Sequence, residues 1–485
     1  MKLKAKNLLY SNLMLIFLSP IILNFTVNIL QKKIIPFNYL FGNVQSLLFN
    51  ILFFIFFLFL GKKIKDALAL EATLLAIIYF FSSFFLFDFL TMPFLGNLQF
   101  KHSVLIVLIA WFLFLLYVSK SKISIIFLAF YYIIIQYLNS HFYTKLNDLE
   151  GYLEINTDVP VQWFKLAELI HSNNLLFAYQ NNIIDGQGLF TSYIQALIFK
   201  INFFNFDFTF IRLNANLLLF LGIVLIYDLR LSNKNKFILT LTFISLILNN
   251  DWLTYLFIDS LMLEGIVSLI FACYVFNLQP FLKSTQFNLK SQTFFIFFGC
   301  LIFSKQFVSL LAVFITIYLL VKYKNKNCVT IFILFVLDYL YKNIYTPTAQ
   351  RFEYLKDADL INLTLDILFL RNIEFSNIFK ILEQHLLDKP VTYLIILFFL
   401  LHIFNKIDHR KQSSKLEKNI SFSVFLVNTL LIFMLFSVWW KDFGIQSSYR
   451  YTLNLLHLIF ISIGLNLNHL ENKFKFIKTS YNPKS

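Results

Sequence analysis

Charge is what this 485-residue chain has least of: Asp, Glu, Lys and Arg make up 14% of it, while 59% is hydrophobic. A soluble domain carries roughly a quarter of its residues charged, so the composition excludes an ordinary water-soluble protein and predicts an integral membrane protein. Cysteine is nearly absent too. Cys273, Cys300 and Cys328 lie in or beside apolar runs without C-x-x-C spacing, which argues for small buried hydrophobes and against metal ligands or disulfide partners. No Gly-rich phosphate loop ending in Lys-Ser or Lys-Thr occurs. Any transfer reaction must therefore draw on an activated substrate, and any transport on a gradient. The basic start and apolar run at 10–30 lack a small-residue cleavage site, and further apolar runs follow at once. The segment reads as a retained first span.

What is there instead is a series of apolar runs near the length of about 20 residues that crosses a bilayer as helix. They fall near 10–30, 43–60, 68–90, 103–118, 124–138, 209–228, 237–250, 257–278, 293–304, 306–321, 328–345, 390–405, 420–438 and 451–468. The expectation is an all-α polytopic bundle of about fourteen transmembrane helices with a large outer loop. Its parts are N-terminal spans in 1–138, an outer loop in 139–208 and central spans in 209–345. A second outer loop in 346–389 and C-terminal spans with a tail in 390–485 complete it. Phe is so frequent, at 64 residues, that a single Phe says little.

With the N-terminus on the cytoplasmic side, more than half of the 41 lysines and arginines fall in short cytoplasmic connectors. Clusters at Lys62-Lys63-Lys65, Lys322-Lys324-Lys326 and 406–418 carry this asymmetry, which is the positive-inside signature. It accounts for the formal charge of +15 without nucleic acid. Keeping these clusters inside requires 293–321 to turn near Ser304 and Lys305 as a hairpin. The inference is a multi-pass protein of a cell inner membrane with both termini cytoplasmic.

The outer face then collects 139–208, 249–256, 346–389 and 439–450. In the first of these stand Asp148, Glu150, Asp158, Trp163, Glu168, His171 and Asp185. Residues 160–171 alternate as a short amphipathic helix, with Trp163, Leu166, Ala167, Leu169 and Ile170 on one side and Gln162, Lys165, Glu168 and His171 on the other. Asp158, two residues before Pro160, suits an N-cap, and equally a carboxylate held ready as a base or metal ligand. The Asp185-Gly186-Gln187-Gly188 turn leads into a helix from Thr191 that is expected to lie on the membrane surface. In the 346–389 loop, 361–370 and 376–387 look helical and amphipathic, as a lid or as surface anchors. Trp439 and Trp440 fit an interfacial belt.

This order of features resembles the polytopic glycosyltransferases of the GT-C structural class, which includes dolichyl-phosphate-mannose and undecaprenyl-phosphate-arabinose transferases. The resemblance rests on Asp158 and the helix to Ala167, Gly188 and Tyr193, and Phe210-Ile211-Arg212-Leu213-Asn214-Ala215-Asn216 with Tyr227-Asp228-Leu229-Arg230. It continues with Met262-Leu263-Glu264-Gly265, Ser304-Lys305-Gln306 and Tyr449-Arg450-Tyr451, so that it covers roughly 145–465. Here about five spans precede the acidic loop where the family has one, and Val159 follows Asp158 where the family often has a second acid. Residues 1–138 are then an added module, or Asp148 with Glu150 is the relevant acidic cluster.

The resemblance implies a polyprenyl-phosphate sugar donor, an extracytoplasmic lipid, glycan or protein acceptor, and inversion at the anomeric carbon. It makes Asp158 the catalytic base for the acceptor hydroxyl. Lys305 and Arg450, with Arg212, are candidates to meet the charge of the departing phosphate, although an interfacial Lys or Arg also serves as a snorkelling anchor. Glu264, Asp259 or Asp251 would orient the acceptor or a metal, and Tyr193 joins the substrate-binding set. No cofactor is required, and a divalent cation is admissible. Other readings are a lipid-linked glycan polymerase or ligase, and a secondary transporter or flippase, although no internal repeat between halves is evident.

Overall fold

A computed structural model describes residues 70–118, 165–181, 189–201, 264–282, 286–304, 306–346, 375–387, 389–406, 415–438 and most of 452–470. Among these residues the protein is all-α. The helices are α1 (Leu70–Leu95), α2 (Phe100–Val118), α3 (Lys165–Ser172), α4 (Leu175–Gln180), α5 (Phe190–Ile201) and α6 (Glu264–Leu282). They continue as α7 (Leu289–Gly299), α8 (Gln306–Tyr323), α9 (Val329–Tyr345), α10 (Phe375–Leu387), α11 (Lys389–Lys406) and α12 (Lys415–Val438). Short 3-10 turns at Cys300–Phe303 and Lys326–Cys328 join α7 to α8 and α8 to α9.

Two stretches, Ile78–Leu95 and Lys326–Tyr345, are long and apolar enough to cross a membrane. Shorter apolar helices cover Phe100–Phe114, Leu289–Phe303, Phe307–Tyr323, Thr392–Phe404 and Ser421–Ile432. Where the expected spans fall on described residues, they coincide with these helices, with α6 and with helical residues at 456–464. The spans expected near 10–30, 43–60, 124–138, 209–228 and 237–250 lie outside the described residues. The apolar helices keep large hydrophobic side chains on their outsides, such as Ile109 and Leu113 on α2, Ile333 and Val336 on α9, and Ile396 and Leu400 on α11. In water each would carry a cost of roughly 25 cal/mol per Å² of apolar surface, whereas hydrocarbon solvates them.

The described helices form two compact units. One holds α1–α5 and α7–α9, the other α6, α10–α12 and the residues after 452. In the first, α1 is the central helix and packs on α2, α4, α5 and α7. Phe80, Phe84, Phe85 and Phe89 form its buried side. Phe85 meets Phe190 of α5 at 5.2 Å and Phe303 at 5.0 Å, and Phe89 meets Phe303 at 4.5 Å and Tyr341 of α9 at 4.8 Å. Trp111 of α2 donates its indole N–H to Ser83 Oγ at 2.7 Å, which gives a polar atom inside the apolar wall its partner.

The hairpin expected at Ser304 is present as two helices. α7 stops at Gly299, the 3-10 turn follows, and α8 folds back so that Ser309 Oγ donates to the Ile302 carbonyl. At the far end Asn288 N donates to Asn327 Oδ1 at 3.0 Å, and Asn327 Nδ2 to the Gln286 carbonyl at 3.0 Å. These bonds bring the beginning of α7 and the end of α8 to one side, which a single straight helix through 289–323 cannot do. At Gly299 α7 lies tightly against α9, since a Cβ there would lie 2.5 Å from Leu334 Cδ1. Cys300 and Cys328 are buried thiols, as expected from their apolar surroundings.

In the second unit α12 packs on α6 and α10, and α10 on α11. Phe398, Phe399, Phe422 and Phe425 interlock across α11 and α12, and the His402 ring stacks flat on Phe422 at 3.9 Å.

The hairpin has a direct check. In a background without the native cysteines, Asn97→Cys and Lys324→Cys, both at exposed positions, are expected to react with an impermeant maleimide from opposite faces of sealed vesicles. Labelling of both from the same face would replace the hairpin by one span.

Candidate functional site

From Lys165 the loop expected at 139–208 follows its amphipathic pattern. α3 buries Leu166, Ala167 and Ile170, while Glu168 is half-buried and Ser172 exposed. The chain then turns through Asn173 and Asn174 into α4. Asn174 accepts the Phe177 N–H at 2.8 Å as N-cap and donates Nδ2 to the Gly96 carbonyl at 2.9 Å. The Asn173 carbonyl takes the Phe100 N–H at 2.7 Å, one of the donors that the first turn of α2 cannot satisfy within the helix. Side chain and backbone thus tie the α3–α4 turn to the α1–α2 turn.

α5 departs from expectation. Instead of lying on a surface with one side outward, its first two turns are enclosed: Leu189, Phe190, Thr191, Ser192, Tyr193, Ile194, Ala196 and Leu197 are all buried. The reason is polar. Asp88, about two turns before the end of α1, sits in an otherwise apolar helix at 8% exposure and needs donors. The Tyr193 hydroxyl stands 2.6 Å from Asp88 Oδ2 and 3.0 Å from the Phe84 carbonyl oxygen. Ser103 Oγ donates to the same Oδ2 at 3.1 Å and to the Phe100 carbonyl at 2.9 Å. The Tyr193 ring is set edge-on to Phe85 at 5.4 Å and Phe100 at 5.3 Å, which fixes the direction of its hydroxyl.

A second bond of the same kind lies beside the first. Tyr179 of α4 donates to Asp338 Oδ1 of α9 at 3.0 Å, and Lys342, one turn along α9, pairs with Oδ2 at 2.6 Å. Two tyrosines of the loop helices thus seat two aspartates of the long apolar helices α1 and α9. Burial pushes both phenols well above their ordinary pKa, and the neighbouring carboxylate adds to it: Asp88 for Tyr193, Asp338 for Tyr179. Both remain protonated donors across physiological pH.

The second unit has its own buried polar pair. Ser268 Oγ of α6 accepts the His457 N–H at 2.9 Å and lies 2.9 Å from His457 Nδ1. Asn428, in the middle of the buried side of α12, has no hydrogen-bond partner among the described residues for either amide atom.

Of the residues singled out from sequence, Tyr193 is fully described, and its hydroxyl is engaged beneath the loop rather than open to a substrate. It is a positioning residue in this arrangement. Glu264 is the first residue of α6. Asp158, Lys305, Arg450, Arg212, Asp259 and Asp251 lie outside the described residues, as do Asp148, Glu150, Trp163 and Asp185. α10 agrees with the helix expected at 376–387, and 361–370 lies outside the described residues. Sequence reasoning passed over Asp88, Ser103, Tyr179, Asp338, Ser268 and His457. For the two aspartates a signal existed, since an acid inside a spanning run is rare enough to be a functional or structural marker by itself. For the serines and tyrosines there was none. Among the described residues no three His, Cys, Asp or Glu side chains gather as metal ligands.

Compared with family models, curated proteins and solved structures, the chain finds no match in any of the three.

The Tyr193–Asp88 bond can be measured. Tyr193→Phe leaves a buried carboxylate short of a donor and is expected to cost about 1–3 kcal/mol of stability in detergent. In an Asp88→Leu background, where no carboxylate needs that donor, the same change is expected to cost much less. Equal costs in the two backgrounds would mean that the bond carries no coupling energy.

Proposed function

We propose that this protein is a membrane glycosyltransferase of the GT-C type, moving a sugar from a polyprenyl-phosphate donor to an extracytoplasmic acceptor with inversion. The observation that supports the reading most is the anchoring of the loop helices α3–α5. Two buried tyrosine–aspartate bonds and the paired turns at Asn173–Asn174 and Gly96–Phe100 fix them to one end of α1, α2 and α9. A loop that merely floated on the bilayer would need none of these. The segment carrying Asp158 runs into α3 seven residues later, so the base of the reaction would be borne by chain leading into a fixed platform.

In this reading the acceptor hydroxyl attacks the anomeric carbon while Asp158 takes its proton. The bond from that carbon to the donor phosphate oxygen breaks, and the polyprenyl phosphate leaves as an anion. Lys305 and Arg450, with Arg212, meet that charge. Glu264, Asp259 or Asp251 holds the acceptor or a divalent cation. Tyr193 acts through Asp88, keeping the platform seated.

A second reading has an observation of its own. Asn428 and the Ser268–His457 pair lie buried within the apolar helices of the second unit, where a secondary transporter or lipid-sugar flippase would keep polar groups. A lipid-linked glycan polymerase or ligase shares the outer-face chemistry of the first reading.

Purified protein with a labelled polyprenyl-phosphate sugar separates these readings. Transfer to an acceptor is expected, and Asp158→Asn is expected to lower it at least about 100-fold with the helical content unchanged. Full activity in Asp158→Asn would remove the base from that position. Movement of the intact lipid-sugar across vesicles without any transfer would favour the transporter.

A further inference from the structure

At the end of the first unit opposite the loop helices, two connectors are clasped by asparagines. Asn325 and Asn327 are wholly buried, although they stand between exposed lysines. Asn325 Oδ1 accepts the Asn327 N–H at 3.0 Å and Nδ2 of the same residue at 3.1 Å, while Asn327 binds Asn288 N and the Gln286 carbonyl. This clasp holds 286–290 against 323–328 and forces Lys324 into the left-handed region at φ 52°. Glycine or asparagine adopts that conformation readily, and lysine does so only where the surroundings impose it.

The result is a fixed basic corner. Lys290, Lys322, Lys324 and Lys326 are all exposed there. Lys322 Nζ lies over the Tyr318 ring at 4.9 Å, donates to the Tyr318 hydroxyl, and is near the Tyr323 ring at 5.7 Å, which holds its ammonium against the two rings. None of the four pairs with a carboxylate among the described residues, and the chain has no Asp or Glu at all from Gly265 through Leu337. Beside the lysines, Leu289 is 80% and Phe287 63% exposed, and Val321 is exposed as well. Apolar side chains and ammonium groups without a described carboxylate thus share one edge, continuous with the outward apolar side of α8 and α9.

We propose that this corner is a binding site for the headgroup of an anionic phospholipid. The phosphate sits among Lys290, Lys322, Lys324 and Lys326, and its acyl chains lie along Phe287, Leu289 and Val321. A protein partner would have to bring its own apolar surface together with carboxylates, whereas a phospholipid carries both parts in the order in which this edge offers them. The proposal rests on the reading of α7, α8 and α9 as membrane helices.

Full-length protein in phosphatidylcholine nanodiscs containing a minority of phosphatidylglycerol tests it, with retained lipids counted by native mass spectrometry. The wild type is expected to retain phosphatidylglycerol over phosphatidylcholine, less so as salt is raised. Lys322→Gln, Lys324→Gly and Lys326→Gln combined are expected to weaken that retention about 100-fold, from about fivefold per lysine at a membrane surface. Lys324→Gly suits the left-handed turn better than lysine, so this variant is expected to keep or gain thermal stability while losing lipid. An all-arginine version of the three sites is expected to retain it. Unchanged retention in the glutamine–glycine variant would overturn the proposal, as would stabilisation of lipid-free protein by inorganic phosphate equal to that by phosphatidylglycerol. Protein that fails to enter neutral nanodiscs would overturn the membrane reading itself, which is a separate readout.

Discussion

The bond from Tyr193 to Asp88 is the constraint on which the first unit depends. A carboxylate in an apolar helix has no water to accept from, and leaving it without donors costs more than most single contacts contribute. Asp88 therefore requires hydroxyl groups, and these come from two directions: Ser103 of the next helix and Tyr193 from 105 residues further along the chain. Meeting that need draws α5 out of the surface position that its amphipathic pattern suggests and encloses it. α3 packs on α5 and follows it, and α4 brings Tyr179 to Asp338 of α9. A loop of polar composition becomes a platform because two aspartates beneath it have to be satisfied.

The two ends of this unit are built differently. At one end tyrosine hydroxyls meet carboxylates, and the aromatic rings of Phe85, Phe89, Phe100, Phe303 and Tyr341 pack around them. At the other, asparagine amides clasp two connectors, and lysines without carboxylates remain on the outside. The first pattern confines groups that need each other, whereas the second leaves charge in search of a counter-ion. The unit is therefore closed by paired polar groups at one end and carries exposed positive charge at the other.

How far the chain could be read in advance varies from element to element. The spans at 68–90, 103–118, 328–345 and 420–438 correspond closely to α1, α2, α9 and α12, because apolar length is a local sum over neighbouring residues. The break at Ser304 was legible from the lysines at 322–326, since a straight helix would have carried them to the wrong side. From Lys165 onward the helix expected at 160–171 was legible from its period, and its buried residues Leu166, Ala167 and Ile170 are of its apolar side. The position of α5 was not, because Thr191, Ser192 and Tyr193 look like the polar side of a surface helix until Asp88 is placed next to them. The acidic and basic residues to which chemistry was assigned belong chiefly to segments outside the described residues.

The sequence by itself determined that the chain is helical and apolar over lengths suited to a bilayer, where its lysines gather, and that a long polar loop interrupts it. Each of these is a property of composition and spacing along one strand of covalent neighbours. Only the tertiary structure decided that Tyr193 serves Asp88, that Tyr179 serves Asp338, and that Asn288 meets Asn327. These partners are separated by 39 to 159 residues. No periodicity encodes which helix faces which, and the choice falls to the packing that gives these buried carboxylates and amides their donors and acceptors.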